Sequence, residues 1–343
     1  MQHVNEVMRK SIERSGGTFI STWDLSGQNG KYSNAVRVDG ALHLLRDSDG
    51  VHFTRAGAVY MARKVTERLE REVPLLPADE GRALIVRREI DSKALGRRVP
   101  YLAYVPLVAA SGGGDLPALF LLHGVDGSYA DWSEHAQAAL KELSVRHGLV
   151  IITPEGGEGG WYVDSALVPN SNYASHVTRE VVADIEANLP VTKRRGIAGV
   201  SAGGHGALTL ALRSPGLFSS ASSMSGVVDL PAAHTRKALV KRLGPYSENR
   251  EGWEERSARH LARSRADVAR DLPMLITVGR ADRWAPENRA FAAELAELGV
   301  RHAFEEYEGG HDWRTFKRQL PRHVAWHAEQ LAGPPVSSAP PPR

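Results

Sequence analysis

Between residues 82 and 332, short apolar runs alternate with amphipathic stretches. Residues 83–90 and 98–105 read as a pair of adjacent strands. Residues 118–122, 149–152, 197–200 and 274–278 are continuous apolar runs of four or five residues. Strands buried on both faces of a parallel sheet have that pattern. A further strand is expected at 303–307. Between these runs the spacing of apolar positions changes to that of a helix, near 134–147, 177–189, 202–213, 286–298 and 313–331. The alternation predicts an α/β fold, a largely parallel sheet with helices on both faces. Ligand sites in such sheets lie beyond the carboxyl ends of the strands.

The flanks read differently. Residues 1–76 contain a helix-like start, strand candidates at 18–22 and 41–45 joined by a polar loop, and an amphipathic helix near 56–73. They are expected to form a small α/β appendage. The run Pro74-Leu75-Leu76-Pro77-Ala78-Asp79-Glu80-Gly81 reads as a linker to a main domain at 82–332. Residues 333–343 are rich in proline and expected to be disordered.

Composition narrows the chemistry. The 343 residues include no cysteine, which removes disulfides, zinc–thiolate sites and cysteine catalysis. A net charge of +3 is small for this length, and the arginines are interleaved with glutamates. That pattern describes a solvated face rather than a nucleic-acid stripe. No apolar run is long enough to span a bilayer. The first residues lack the layout of a signal peptide, so the default expectation is cytoplasmic, with secretion left open.

The strongest chemical signal is Gly199-Val200-Ser201-Ala202-Gly203. It follows an apolar run and precedes a helical one. A serine there sits on a tight strand-to-helix turn that exposes its hydroxyl. A serine hydroxyl needs an imidazole to take its proton, and the imidazole needs a carboxylate to fix its tautomer. Downstream, 274–278 runs into Asp282, and 303–307 runs into Gly309-Gly310-His311. Ser201, Asp282 and His311 are therefore the expected triad. Asp312 is a poorer acid, because adjacent side chains do not easily make the required bond. The oxyanion is expected to meet the amides of Ala202 and of Val125, the latter on the loop after His123-Gly124.

Four stretches carry a resemblance: Leu121-Leu122-His123-Gly124, Gly160-Trp161-Tyr162-Val163-Asp164-Ser165, the run from Ala198 to Leu208 around Ser201, and Gly309-Gly310-His311-Asp312-Trp313. Residues from about 82 to 331 resemble the esterase D group of α/β-hydrolases. That group includes S-formylglutathione hydrolases, feruloyl and acetylxylan esterases and the antigen 85 acyltransferases. The resemblance implies an α/β-hydrolase fold and a serine carboxylesterase that uses no cofactor or metal and acts on a small-molecule ester. An acyltransferase on the same scaffold, a feruloyl or acetylxylan-type esterase, and a non-catalytic binding module are the alternatives. Ala202 departs from the methionine many members carry there; a backbone donor tolerates that.

Trp161 and Tyr162 follow a glycine-rich run, 155–160, read as a mobile loop. Either they line the substrate pocket or they pack that loop onto the domain. In the appendage, Asp49-Gly50-Val51-His52 is similar to the Asp-x-x-His block of SGNH hydrolases. No Gly-Asp-Ser block precedes it, so Asp49 and His52 are expected to be a non-catalytic remnant.

Overall fold

The computed structural model describes residues 27–28, 31–38, 41–46, 52–72 and 82–332. The chain divides into two compact units, Met1–Glu80 with Leu107–Gly114, and Gly81–Pro106 with Asp115–Arg343. The expected strand at 18–22, the linker, Asp49 and the tail lie outside the described residues.

The second unit is built on one eight-stranded sheet. Its strands are β1 (Ala83–Ser92), β2 (Arg97–Pro106), β3 (Leu116–Leu122), β4 (Val150–Pro154), β5 (Val191–Val200), β6 (Ser220–Met224), β7 (Met274–Gly279) and β8 (His302–Tyr307). The spatial order is β1-β2-β4-β3-β5-β6-β7-β8. β1 pairs antiparallel with β2, and β2 antiparallel with β4. All other pairings are parallel. Crossovers are needed between parallel strands, and the helices supply them. These helices include α1 (Asp131–His147), α2 (Val182–Asn188), α3 (Ala202–Arg213), α4 (Lys237–Leu243), α5 (Ala285–Glu297) and α6 (Trp313–Leu331).

The runs at 118–122, 149–152, 197–200 and 274–278 fall in strands, with Leu149 one residue ahead of β4, as their double burial requires. Leu119, Phe120, Leu121, Ile151, Ile152 and Ile276 are fully buried. Trp132 and Leu140 of α1 join Phe316, Leu320 and Val324 of α6 over one side of this sheet.

β6 was not expected as a strand. Its residues, Ser220-Ala221-Ser222-Ser223-Met224, form no continuous apolar run, yet every one is buried. The reason lies on α6. Ser220 and Ser222 bond the two ring nitrogens of His327 at 2.7 and 2.8 Å. His323 Nδ1 reaches Ser222 at 2.7 Å, and its Nε2 lies 2.9 Å from the Thr277 hydroxyl of β7. Thr277 also bonds Gln319. Hydroxyls bonded in this way can occupy a core that would otherwise exclude them. An added Cβ at Gly196 of β5 would press on the His327 ring at 2.6 Å, so the sheet must be smooth there.

The first unit contains a strand pair, Ala35–Val38 against Ala41–Leu44, and a helix, Arg55–Glu72. The strand at 35–38 falls within what reads as a polar loop. Thr54 caps the helix: its hydroxyl accepts from the Gly57 amide at 3.0 Å and donates to Leu44 O at 2.7 Å. No helix among the described residues is long and apolar enough to cross a membrane.

The buried histidines make a pH prediction. Burial lowers His327 to about 3 and His205 of α3 to about 4, and holds His323 well below its ordinary value, with the neighbouring His327 and Arg322 charges adding to the shift. The unfolded chain binds protons at these sites from about pH 6.5 downward, whereas the folded chain does not. Stability is therefore fully present above pH 6.5 and falls as the pH drops toward the folded values. Each histidine held neutral should remove about 2 kcal/mol between pH 7 and pH 5. Urea unfolding at the two pH values checks this. An unchanged midpoint would show that the histidines do not control acid stability.

Candidate active site

β5 ends at Val200 and α3 begins at Ala202, so Ser201 alone makes the turn. Its backbone lies at φ 54°, ψ −118°. The surrounding glycines are required by space. An added Cβ at Gly203 would overlap the carbonyl oxygen of His123 and lie 2.6 Å from that of Leu122; at Gly199 it would overlap the Gly203 carbonyl. The Ser201 amide donates to Met224 O at 3.0 Å, which fixes the turn to the end of β6.

The next two strands deliver the partners. β7 leads into Asp282 and β8 into His311. His311 Nε2 lies 2.9 Å from Ser201 Oγ, and His311 Nδ1 lies 2.7 Å from Asp282 Oδ2. A carboxylate only accepts, so Nδ1 carries the proton and Nε2 is free to accept from the serine hydroxyl. Asp282 Oδ1 accepts from the Trp284 amide at 2.9 Å. Burial pushes the Asp282 carboxyl up, but the hydrogen bonds from His311 and Trp284 and the charge of His311 outweigh it. The net position is below the ordinary carboxylate value. Asp312, the alternative acid, points elsewhere. It caps α6 by accepting from the Thr315 amide at 2.9 Å.

The Ala202 amide is the first of α3, one of the helical N–H groups without an intrahelical acceptor. Val125 lies on the loop after β3. A Cβ on its neighbour Gly124 would sit 3.7 Å from Ser201 Cβ, which measures how closely that loop approaches the serine.

The side chain of His123 was not anticipated as a functional element. It is buried, with Nε2 accepting from the Gly156 amide at 2.8 Å and Nδ1 donating to Gly124 O at 2.7 Å. Burial lowers its pKa, and the nearby Glu155 only partly opposes this, so the ring is the neutral Nδ1–H form. Glu155 in turn accepts from the amides of Gly157 at 2.5 Å and Tyr129 at 3.3 Å. The only sequence signal for this arrangement was the His-Gly pair at a strand end facing a second strand-end loop.

The glycine-rich run at 155–160 is packed rather than mobile, with only Glu158 exposed. Trp161 and Tyr162 are both buried. The Tyr162 hydroxyl donates to His123 O at 3.1 Å, which commits it to holding the β3 loop. Trp161 joins an apolar cluster with Ala202, Val227, Trp253 and Trp284, against which Val125 packs. Among the described residues, six non-glycine residues have positive φ: Asp126, Trp161, Tyr162, Asn170, Ser201 and Ser225. All six lie on loops after the carboxyl ends of β3, β4, β5 and β6, Asn170 at the far end of the β4 loop. Such strain concentrates where surrounding structure over-determines a functional geometry.

Comparison with known proteins bears on this geometry. A family model described as putative esterase matches residues 92–327. The chain belongs to this esterase family. It is a serine ester hydrolase with the α/β-hydrolase fold. S-formylglutathione hydrolase of Mus musculus is 30% identical over 275 residues, covering 71% of this chain and 93% of the relative. Acetyl esterase of Caldicellulosiruptor saccharolyticus is 26% identical over 225 residues, covering 62% and 83%. Among solved structures, an S-formylglutathione hydrolase from Agrobacterium tumefaciens superposes with a TM-score of 0.65 at 26% identity, covering 74% of this chain and 97% of that one. Residues 1–68 match a separate family described as a protein of unknown function, DUF459.

The tight packing at Gly203 is testable. Gly203→Ala should lower the melting temperature and remove most esterase turnover, because backbone carbonyls cannot yield as a flexible side chain can; overpacking of this kind costs about 1–3 kcal/mol. Thermal melts and ester turnover measure both effects. A variant that melts and turns over like the parent would mean that the loop after β3 is not seated against α3.

Proposed function

We propose that the protein is a carboxylesterase for short-chain or small-alcohol esters, with Ser201 as nucleophile, His311 as general base and acid, and Asp282 as the group that orients His311. The observation that carries this reading is the unbroken chain of contacts from Ser201 Oγ to His311 to Asp282, at 2.9 and 2.7 Å. Each residue comes from a different strand end. Ser201 Oγ attacks the ester carbonyl as His311 Nε2 takes its proton. The tetrahedral oxyanion lies against the amides of Val125 and Ala202. His311 then protonates the departing alkoxide, leaving an acyl-serine. Water gives a proton to His311 as its oxygen bonds the acyl carbon, and His311 returns that proton to Ser201 Oγ as the Oγ–acyl bond breaks and the acid leaves. Asp282 remains ionised throughout and holds the Nδ1 proton in place.

The experiment is hydrolysis of p-nitrophenyl acetate and butyrate by the parent and three variants. Ser201→Ala should abolish turnover. Asp282→Asn should lower kcat by about ten-thousand-fold, since the wrong imidazole tautomer is then favoured. Asp312→Asn should cost far less, because that carboxylate only caps α6. Parental activity in Ser201→Ala, or the reverse ranking of the two aspartates, would overturn the assignment.

Residues 1–76 are proposed to be an appendage without a nucleophile of its own. Asp49 and His52 match a catalytic pair in type, but residues 1–48 hold no Gly-Asp-Ser block that could supply them with a nucleophile. His52 is exposed on the residue preceding the short bridge between Arg46 and Phe53. His52→Ala should leave ester turnover within about twofold of the parent, whereas His311→Ala removes it. Loss of turnover in a folded His52→Ala variant would show that the appendage participates in catalysis.

A further inference from the structure

A cavity of about 300 Å³ lies between the 164–167 segment and the stretch from the end of α4 to Arg256. Arg242 and Arg256 both line it. Three other buried or half-buried arginines of the sheet unit each meet a carboxylate: Arg88 with Asp184, Arg195 with Glu186, Arg259 with Glu294. Arg242 and Arg256 do not. Arg242 donates only to neutral acceptors, the Ser171 hydroxyl at 3.0 Å and the carbonyls of Ala238 and Glu158 at 3.1 and 3.3 Å. Arg256 donates to Gly252 O at 2.8 Å, and its Nε is buried without a partner.

The acids on the wall leave this charge largely uncompensated. The Asp164 carboxylate is occupied by the amide and hydroxyl of Ser175, at 2.9 and 2.7 Å. Glu248 is exposed to solvent. Burial holds both guanidinium groups below their ordinary pKa. For Arg256 the like charge of Arg213 adds to this, and the attraction of Glu255 and Asp164 is smaller than the burial effect. A half-buried guanidinium that lines a cavity and meets no carboxylate is a strong donor for an oxyanion. Leu167, Leu243 and Pro245 complete the wall with apolar surface that suits a short carbon body.

We propose that this cavity binds a small organic anion, a carboxylate or a phosphate monoester, with Arg256 as the principal contact and Arg242 beside it. The site is separate from the ester-hydrolase reading and does not depend on it.

Isothermal titration of the full chain with inorganic phosphate and with acetate, in buffer of matched chloride concentration, tests the proposal. The two probes distinguish a phosphoryl ligand from a carboxylate. Saturable binding of at least one is expected. Arg256→Gln should weaken it by about tenfold, and Arg256→Lys by less, since charge survives and the planar fork is lost. Leu167→Asp tests the site without touching the arginines. Leu167 is 60% exposed, so the variant should fold, and its carboxylate should repel the ligand by about threefold or more. If Arg256→Gln fails to fold, Leu167→Asp decides. Absence of saturable binding of either anion, or less than a threefold loss in Leu167→Asp, overturns the proposal.

Discussion

The backbone of Ser201 is the constraint on which the rest of the site depends. A residue with a side chain is held at φ 54°, ψ −118°, where only glycine is comfortable. A non-glycine residue at positive φ costs of order 1–3 kcal/mol, and six of them, Ser201 included, lie on the strand-end loops of this sheet. The cost is tolerable because the turn has no room to relax. β5 is buried between β3 and β6, α3 follows within one residue, and the glycines at 199 and 203 let carbonyls of adjacent segments approach closely. The same geometry sets the hydroxyl of Ser201 against His311 and the Ala202 amide at the start of α3.

Around that turn, polar groups do structural work that apolar packing could not do alone. His123 links the loop after β3 to the loop after β4, through the Gly156 amide on one side and the Gly124 carbonyl on the other. Tyr162 adds a second tie to the same loop. On the side of α6, His323 and His327 connect that helix to β6 and β7. Helix α6 begins directly after His311, and β7 leads into Asp282. The histidine–serine network therefore fixes the two elements next to His311 and Asp282 in the chain. Neutral histidines suit this role, because each ring offers one donor and one acceptor to hydroxyl partners.

Much of this was legible in the sequence, for identifiable reasons. Strands β3, β4, β5 and β7 are buried on both faces, so their residues are continuous apolar runs. Ser201, Asp282 and His311 follow strand ends, and a strand end is a place the apolar pattern marks. β6 was illegible because its serines are bonded by histidines about a hundred residues away, a pairing that no local pattern carries. The 155–160 run misled for a related reason. Its glycines suggest freedom, but they are there because Tyr162 and Tyr173 press against Gly156 and Gly157. The role of His123 was likewise hidden, since its partner lies on a loop thirty-three residues away.

The central claim is that one serine, activated through His311, is the nucleophile. The most direct measurement is labelling of the native protein with a fluorophosphonate, followed by peptide mass mapping. The account predicts a single adduct on Ser201 whose rate of formation collapses in His311→Ala and in the heat-unfolded chain. An adduct on another residue, or equal labelling of native and unfolded protein, would contradict it.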